Sequence, residues 1–136
     1  MEKHILYTTE AVNQDGLNGQ SFIKTGGLTV TVSNPLNNKP GTNPEQLLGL
    51  SLSTCMNATL QAIEREHGLA HTAEVRVTVT LIKEENFAFL VVARVRIPGV
   101  PLKTATKLVA LAKKRCPVSK LLSGSSYYQV QVVEDY

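Results

Sequence analysis

The two cysteines are the residues of this sequence best suited to covalent chemistry. Cys55 lies in a small and apolar stretch, residues 51–63, with no histidine, lysine or aspartate nearby. Cys116 follows a basic triplet, residues 113–115, and precedes Pro117. Two thiols in one chain can form a redox pair, bind a metal ion or simply fill space in a core. The chemistry therefore depends on whether the two sulfurs meet in the fold.

The position of Cys116 favours the thiolate form of its side chain. Proline opens helices well, so residues 117–124 predict a short helix with Cys116 at or beside its N-cap. A helix N-terminus supplies unpaired N–H groups and partial positive charge, and Lys114 and Arg115 precede the thiol. We therefore expect the pKa of Cys116 to be lowered. The alternative is that a small residue merely occupies a helix junction.

Cys55 has the opposite surroundings. Burial without a charged partner raises the pKa of a thiol and makes it inert, so the local pattern on its own favours a core residue. Cys55 becomes reactive only if a cationic or hydrogen-bonding group reaches it from elsewhere in the fold. Metal binding is the weakest alternative, because the histidines show no ligand spacing with either cysteine; they are His4, His67 and His71.

The order of strand-like and helical segments predicts a segregated α+β fold. Strand patterns cover residues 3–12, 20–25, 28–33, 73–83, 86–97 and 127–135. Helical patterns cover about 42–67, which Gly68 ends, then 104–115 and 117–124. The 136 residues and 43% hydrophobic content predict a single domain, residues 1–136.

The first predicted helix has a well-defined start. Thr42 and Glu45 form a T-x-x-E capping box with Pro44 in the first turn, so the Glu45 carboxylate is expected to bond the N-cap amide. Residues 47–63 carry no charge, which predicts a helix buried nearly all round, in a core or between subunits. Glu45 and Cys55 lie about 15 Å apart along a straight helix, so a shared site needs a bend, a long bridging side chain or a second subunit.

Composition argues against nucleic-acid and membrane partners. The chain has a formal charge of +3, 5% aromatic residues and no tryptophan, so a base-stacking surface is not expected. The basic triplet at 113–115 is better explained as complementing a helix dipole. No segment has the apolar length of a membrane span or a signal peptide, and we expect a cytoplasmic protein. A permanent disulfide is not expected in that reducing compartment.

Two segments carry a family resemblance. Residues 41–55, GTNPEQLLGLSLSTC, and 116–122, CPVSKLL, resemble the two characteristic motifs of the OsmC/Ohr family of peroxide-reducing thiol proteins. The order of strands and helices fits that family across essentially the whole chain. The resemblance implies an OsmC-like fold, with antiparallel sheets and a long buried central helix in an intertwined homodimer. It implies no cofactor and no metal ion.

The resemblance also implies residue roles. Cys55 matches the peroxidatic cysteine, whose thiolate is oxidised by the peroxide to a sulfenic acid, and Cys116 matches the resolving cysteine that condenses with it. Glu45 matches a glutamate that orients an activating arginine. An apolar pocket would favour organic hydroperoxides, and the reductant would be a dithiol such as a lipoyl group.

The sequence departs from the family at the activating arginine. Gln14 stands before Asp15 where Ohr-type members have that arginine, and the stretch that holds it in OsmC-type members offers only Lys39. Lysine is a point charge and cannot form the forked contact of a guanidinium. Met56 replaces an aromatic residue of many relatives. Two hypotheses follow: a thiol peroxidase, or a non-catalytic dimer that binds a hydrophobic small molecule or senses oxidants.

Overall fold

The structure is a computed structural model that describes residues 3–136. The chain forms two compact units that meet in sequence between Pro44 and Glu45. The first unit contains a three-stranded antiparallel sheet in the order β1 (Ala11–Asn13), β2 (Gln20–Ile23) and β3 (Thr29–Thr31). A single domain over residues 1–136 stays a prediction.

The turn between β1 and β2 is built by Asn13 and Gly16. The Asn13 amide donates to the Gly16 carbonyl at 3.0 Å, and the Gly16 N–H donates to Asn13 Oδ1 at 2.8 Å. Gly16 has φ of 63°, in the left-handed region that side-chain-bearing residues seldom adopt. The local sequence therefore dictates this reversal of the chain.

The prediction of a strand over residues 3–12 is wrong for residues 3–10. These residues lie outside any strand, and Ile5, Leu6 and Tyr7 are exposed. The alternation of residue types is suitable for a strand, but a strand also requires a hydrogen-bonded neighbour. The partner β2 has only four residues, and it pairs with Ala11–Asn13.

The second unit contains helices and a three-stranded sheet in the order β4-β5-β6. The helices are α1 (Pro44–Glu66), α2 (Leu102–Arg115) and α3 (Pro117–Leu122), and the strands are β4 (Glu74–Lys83), β5 (Phe87–Arg96) and β6 (Tyr128–Val132). The predicted order of elements is confirmed. Strands β4 and β5 form an antiparallel hairpin, whereas β6 pairs with β5 in parallel, a difference from the expected antiparallel arrangement. The parallel pairing follows from the crossover through α2 and α3.

One hydrophobic core joins the helices and the sheet of this unit. Helix α1 contributes a stripe at helical spacing, and β5 contributes alternate residues of one face. The core residues of α1, β5 and α2 are Leu52, Met56, Leu60, Ile63, Val91, Ala93, Val95, Ala105, Leu108, Val109 and Ala112. Cys116 is fully buried in the same cluster.

Helix α1 ends as its sequence predicts. The Gly68 N–H donates to the Arg65 carbonyl and the Leu69 N–H to the Glu64 carbonyl, the paired bonds of a Schellman motif. Gly68 has φ of 70°, which explains the glycine. The basic triplet 113–115 likewise forms the last turn of α2, as expected.

The buried carboxylate of Glu64 fixes the connection from α1 to β4. Glu64 is fully buried and accepts hydrogen bonds from the backbone N–H groups of Thr72 and Ala73, at 3.0 and 3.1 Å. His71 Nδ1 lies 2.6 Å from its other oxygen. These three contacts satisfy a polar group that would otherwise be costly to bury.

The outward face of α1 is uncharged but exposed within one chain. Leu50 is 63% exposed, and Ser51, Thr54, Ala58 and Gln61 are exposed as well. This face is therefore not covered within a single chain, and its burial between subunits stays a prediction. None of the helices in residues 3–136 combines the length and apolar character that crossing a bilayer requires.

Candidate functional site

Cys55 lies at the edge of the buried face of α1. It precedes the fully buried Met56, is itself partly exposed, and packs against the core of the second unit. Its carbonyl accepts a hydrogen bond from the Thr59 hydroxyl at 2.9 Å, one turn further along the helix. The thiol is therefore held on a regular helix, between the core and the surface.

Cys116 occupies the junction of two helices. It is the C-cap of α2 and the N-cap of α3, with φ −68° and ψ 118°, and its N–H donates to the Ala112 carbonyl at 2.8 Å. Pro117 follows as the first residue of α3, which confirms the predicted N-cap position. The Ser119 N–H donates to the Cys116 sulfur at 3.5 Å, so the thiol itself caps the helix.

The fold brings the two thiols together. Cys116 belongs to the core cluster against which Cys55 packs, and the nearby Cys55 thiol raises the pKa of Cys116. Burial of the thiol is the largest cause of this increase, because the thiolate loses its hydration. Cys55 and Cys116, remote in sequence, are thus adjacent in space.

The prediction of a lowered pKa at Cys116 is wrong. The backbone N–H groups of Ser119 and Val118 do lower the pKa, but burial outweighs them and the net pKa is raised. The preceding cations do not contribute: Lys114 is exposed, and Arg115 is engaged in a two-pronged ion pair with Glu66 at 2.8 and 2.9 Å. Cys116 is accordingly held mainly as a neutral thiol.

A buried hydroxyl pair lies beside Cys116. Ser119 is fully buried, and its hydroxyl shares a hydrogen bond of 2.8 Å with the phenol of Tyr128, at the start of β6. Burial raises the pKa of Tyr128, the bond to Ser119 lowers it, and the charge of Cys116 raises it further. Sequence reasoning missed this pair, although Ser119 belongs to the CPVSKLL motif. Only the pairing of β6 with β5 brings Tyr128 to the site.

Glu45 lies in the first turn of α1. The helix begins at Pro44, and the capping box of Thr42 and Glu45 stays a prediction. Glu45 is partly buried and lines a groove of about 650 Å³ between α1 and β4. The groove is lined by Glu45, Gln46, Gly49, Leu50, Ser53, Val75, Val77, Thr78 and Val79.

A second groove of about 410 Å³ continues along α1. It shares Ser53 and Val75 with the first groove and also includes Asn57 and His71. The side-chain oxygen of Asn57 is buried with no hydrogen-bond partner among residues 3–136. Cys55 lines neither groove. The structure therefore brings Cys55 to Cys116, while Glu45 faces a separate groove on the same helix.

The two positions discussed for the missing arginine, Gln14 and Lys39, belong to the first unit. Gln14 is exposed in the turn after β1. Lys39 is exposed and lines a groove of about 400 Å³ with Thr31, Val32 and Ser33. No lysine or arginine is among the groups that shift the pKa of Cys116. Residues 3–136 contain no cluster of histidine, cysteine or acidic residues suited to a metal ion.

Comparison with known proteins agrees with the motifs. Residues 36–130 match the family model of OsmC-like proteins. The chain is 33% identical to the Escherichia coli K12 peroxiredoxin OsmC over 119 residues, covering 75% of this chain and 83% of that protein. It is 34% identical to the Bacillus subtilis 168 organic hydroperoxide resistance protein OhrA over 99 residues, covering 68% of each.

Solved structures share the fold. A Lactobacillus casei ATCC 334 chain, named only provisionally as a redox protein, is 51% identical with a TM-score of 0.93, covering 98% of this chain and 94% of that one. The Bacillus subtilis organic hydroperoxide resistance protein OhrB is 25% identical with a TM-score of 0.86, covering 95% of this chain and all of that one. With its two motifs, its family match and these relatives, the chain belongs to the OsmC family.

Proposed function

We propose that this protein is a cysteine-based peroxidase that reduces organic hydroperoxides, with Cys55 as the nucleophile and Cys116 as the resolving thiol. The observation that carries the proposal is the placement of both thiols in the core cluster of the second unit, near enough for Cys55 to raise the pKa of Cys116. The names of the curated relatives, peroxiredoxin and organic hydroperoxide resistance protein, support the same chemistry. No cofactor takes part in this reaction.

The proposed reaction has two steps. The Cys55 thiolate attacks one peroxide oxygen, the O–O bond breaks, and the departing alkoxide takes up a proton to leave as an alcohol. Cys55 is thereby oxidised to a sulfenic acid. The Cys116 sulfur then attacks the Cys55 sulfur, the S–O bond breaks, and the hydroxide leaves as water with the Cys116 proton. A dithiol reductant, such as a lipoyl group, restores both thiols and is itself oxidised to a disulfide.

The unequal exposure of the two thiols supports this division of roles. Cys55 is partly exposed, so a peroxide can reach it, whereas Cys116 is fully buried and protected from direct oxidation. The raised pKa of Cys116 keeps its proton available for the departing hydroxide. Apolar neighbours around both thiols favour an alkyl or aryl hydroperoxide over hydrogen peroxide.

We also propose that the protein forms a homodimer. The exposed α1 face, which contains Leu50, Thr54 and Ala58, carries no charge and borders the two grooves. A second copy packed on this face would cover Leu50 and offer a donor to the unpaired Asn57 oxygen. Glu45 is proposed to orient an activating cation, as the family resemblance implies.

We place the protein in the cytoplasm, a reducing compartment where two free thiols can be regenerated after each turnover. Nucleic acid and membrane are not proposed as partners. The competing hypothesis is a non-catalytic dimer that binds a hydrophobic molecule or senses oxidants. Gln14, at the position of an expected arginine, is the observation that favours it.

Rapid mixing of the reduced protein with cumene hydroperoxide tests the proposal. We expect the loss of two thiols per chain and the formation of one Cys55–Cys116 disulfide, followed by free-thiol titration and mass spectrometry. Cys55→Ser is expected to abolish the reaction, and Cys116→Ser to stop it at a sulfenic acid that dimedone traps. Thiols that survive excess peroxide in the unsubstituted protein would instead support the non-catalytic hypothesis.

A further inference from the structure

The hydroxyl pair beside Cys116 joins the sheet to the resolving thiol. Tyr128 is held in β6 opposite Val91, its phenol shares the 2.8 Å bond with the Ser119 hydroxyl, and the Ser119 N–H donates to the Cys116 sulfur. The Ser119 carbonyl in turn accepts from the Ser123 hydroxyl at 2.6 Å. Every group of Ser119 that can form a hydrogen bond near the thiol is therefore fixed.

We propose that Ser119 and Tyr128 are positioning residues that set the rate at which Cys116 attacks an oxidised Cys55. This inference rests on the proposed peroxidase function. Neither residue touches the reacting peroxide in this scheme. Their role is to hold the N-terminal turn of α3, and with it the Cys116 sulfur, in the orientation from which the disulfide forms.

The surroundings of the pair argue against a role in stability alone. Ser119 is fully buried and Tyr128 nearly so, within an otherwise apolar cluster. An apolar pair of similar shape is often as stable as a buried hydrogen-bonded pair, because burying hydroxyls has a desolvation cost. A satisfied polar pair instead gives a core one defined geometry.

The attack of Cys116 on an oxidised Cys55 requires a fixed orientation of the Cys116 sulfur. As Cys116 attacks, its sulfur loses a proton while it is fully buried, and the developing negative charge needs donors already in place. The donors to Cys116 are the N–H groups of Ser119 and Val118, in the first turn of α3. Loosening this turn would misalign both donors and the sulfur.

The decisive experiment isolates the attack of Cys116. Glutathione is first attached to Cys55 through a mixed disulfide, and its release is timed as Cys116 attacks the Cys55 sulfur and the glutathione thiolate departs. This step needs no peroxide, so it tests the positioning role even if the peroxidase proposal fails. The variants are Tyr128→Phe and Ser119→Ala, and each removes one hydroxyl of the pair.

We expect both variants to release glutathione about tenfold more slowly and to shift the pH profile of release to higher pH. The matched control is Tyr127→Phe, since the Tyr127 phenol is exposed and bonds the surface residue Glu84. Ser119→Thr keeps a hydroxyl and is expected to restore most of the rate. Equal rates and pH profiles in Tyr128→Phe and Tyr127→Phe would overturn the inference.

A separate observation concerns the charge of α2 and α3. Residues 102–122 contain six basic residues and no acidic residue, whereas the rest of the chain contains eight basic and eleven acidic residues. The five lysines of this segment lie on exposed positions; they are Lys103, Lys107, Lys113, Lys114 and Lys120. None of them forms an ion pair with a carboxylate in residues 3–136. We call these five lysines the lysine face.

The spacing of the lysine face opposes helix stability. Lys103, Lys107 and Lys114 follow one another along the side of α2 opposite its buried residues, and like charges four residues apart repel. Lys113 and Lys114 lie three and two residues before Cys116, and Lys120 lies four residues after it. We infer that the lysine face docks an acidic protein surface, that of the carrier of the reducing dithiol. This inference also rests on the proposed function.

Two synthetic dithiol peptides test the docking surface, one flanked by glutamates and one by glutamines. The substrate is the Cys55–Cys116 disulfide, formed with diamide so that no peroxidase activity is needed. We expect the acidic peptide to reduce this disulfide about tenfold faster than the glutamine peptide at low salt. The advantage should disappear in about 0.3 M salt, because salt then screens the attraction between charges more than about 1 nm apart.

The Lys107→Glu, Lys114→Glu double variant is expected to lose this advantage. The Lys3→Glu, Lys83→Glu variant makes the same change in net charge away from α2 and should retain it. Equal losses in the two variants would show an effect of net charge only and overturn the inference. Tighter binding of a 20-base-pair DNA duplex than of the acidic peptide, measured by fluorescence anisotropy, would assign the face to nucleic acid instead.

Discussion

The backbone N–H of Ser119 donates to the Cys116 sulfur across 3.5 Å, yet the pKa of Cys116 is raised. The folded protein therefore holds the thiol proton more tightly than the unfolded chain does. This contribution to stability is complete below the unfolded pKa of about 8.5 and is lost as pH rises through the higher folded value. Neutral pH preserves the Cys116 proton, and alkaline pH removes it.

The first prediction is a decrease in the free energy of unfolding above pH 8.5. Urea unfolding between pH 7 and 9.5 should show a slope of at most about 1.4 kcal/mol per pH unit from this thiol. Cys116→Ser removes the titrating group and should flatten the slope. A slope that is unchanged in Cys116→Ser would contradict the assignment. Tyr128 and Tyr136 titrate at higher pH, since their pKa values are also raised.

The second prediction concerns the buried carboxylate of Glu64. Glu64→Gln keeps the shape of the side chain but turns an NH₂ group toward the N–H donors of Thr72 and Ala73 or toward His71. We expect a loss of about 3 kcal/mol in the free energy of unfolding, measured in urea. Glu66→Gln, two residues later on the exposed surface, is the control and should have a much smaller effect. Comparable losses in the two variants would be inconsistent with this account.

The third prediction tests the proposed homodimer. Leu50→Asp places a charge on the exposed face of α1, where it should prevent a second copy from packing without disturbing the core of the chain. Analytical ultracentrifugation is expected to give a monomer for this variant and a dimer for the unsubstituted protein. Leu121→Asp, on the exposed side of α3, is the control and should remain dimeric. A dimeric Leu50→Asp protein would exclude this face as the interface.

The fourth prediction concerns the activating cation. Gln14→Arg restores the arginine that Ohr-type members have at this position, and we expect it to accelerate oxidation of Cys55 about tenfold or more. Lys39→Met is expected to slow the same step. The rate is followed by stopped-flow mixing with cumene hydroperoxide, and Gln20→Arg controls for added charge. If neither substitution changes the rate, neither position supplies the cation.

Local signals made much of the fold predictable. Gly68 marks the end of α1 because the Schellman motif needs a left-handed residue there, and Pro117 marks the start of α3 with Cys116 before it. Alternating residues likewise predicted β4 and β5. In each case the physical cause lies within a few residues of the signal.

The features of the fold and the site that the sequence does not predict depend on contacts between distant segments. Residues 3–10 have the pattern of a strand but no partner strand along their length. The pKa of Cys116 follows from burial by several elements, which outweighs the local helix effect. Tyr128 meets Ser119 only because β6 pairs with β5 in parallel. Such relationships have no signal at short range in the sequence.

The parallel pairing of β6 has a consequence for newly made chains. Tyr128 follows Cys116 in the chain, and β6 pairs with β5 across the crossover through α2 and α3. During synthesis, Cys116 therefore emerges from the ribosome before the strand that encloses it. Until that strand docks, the Cys116 sulfur is accessible to oxidants and to non-native disulfide partners. The thiol that is fully buried in the folded protein is therefore exposed in the newly made chain.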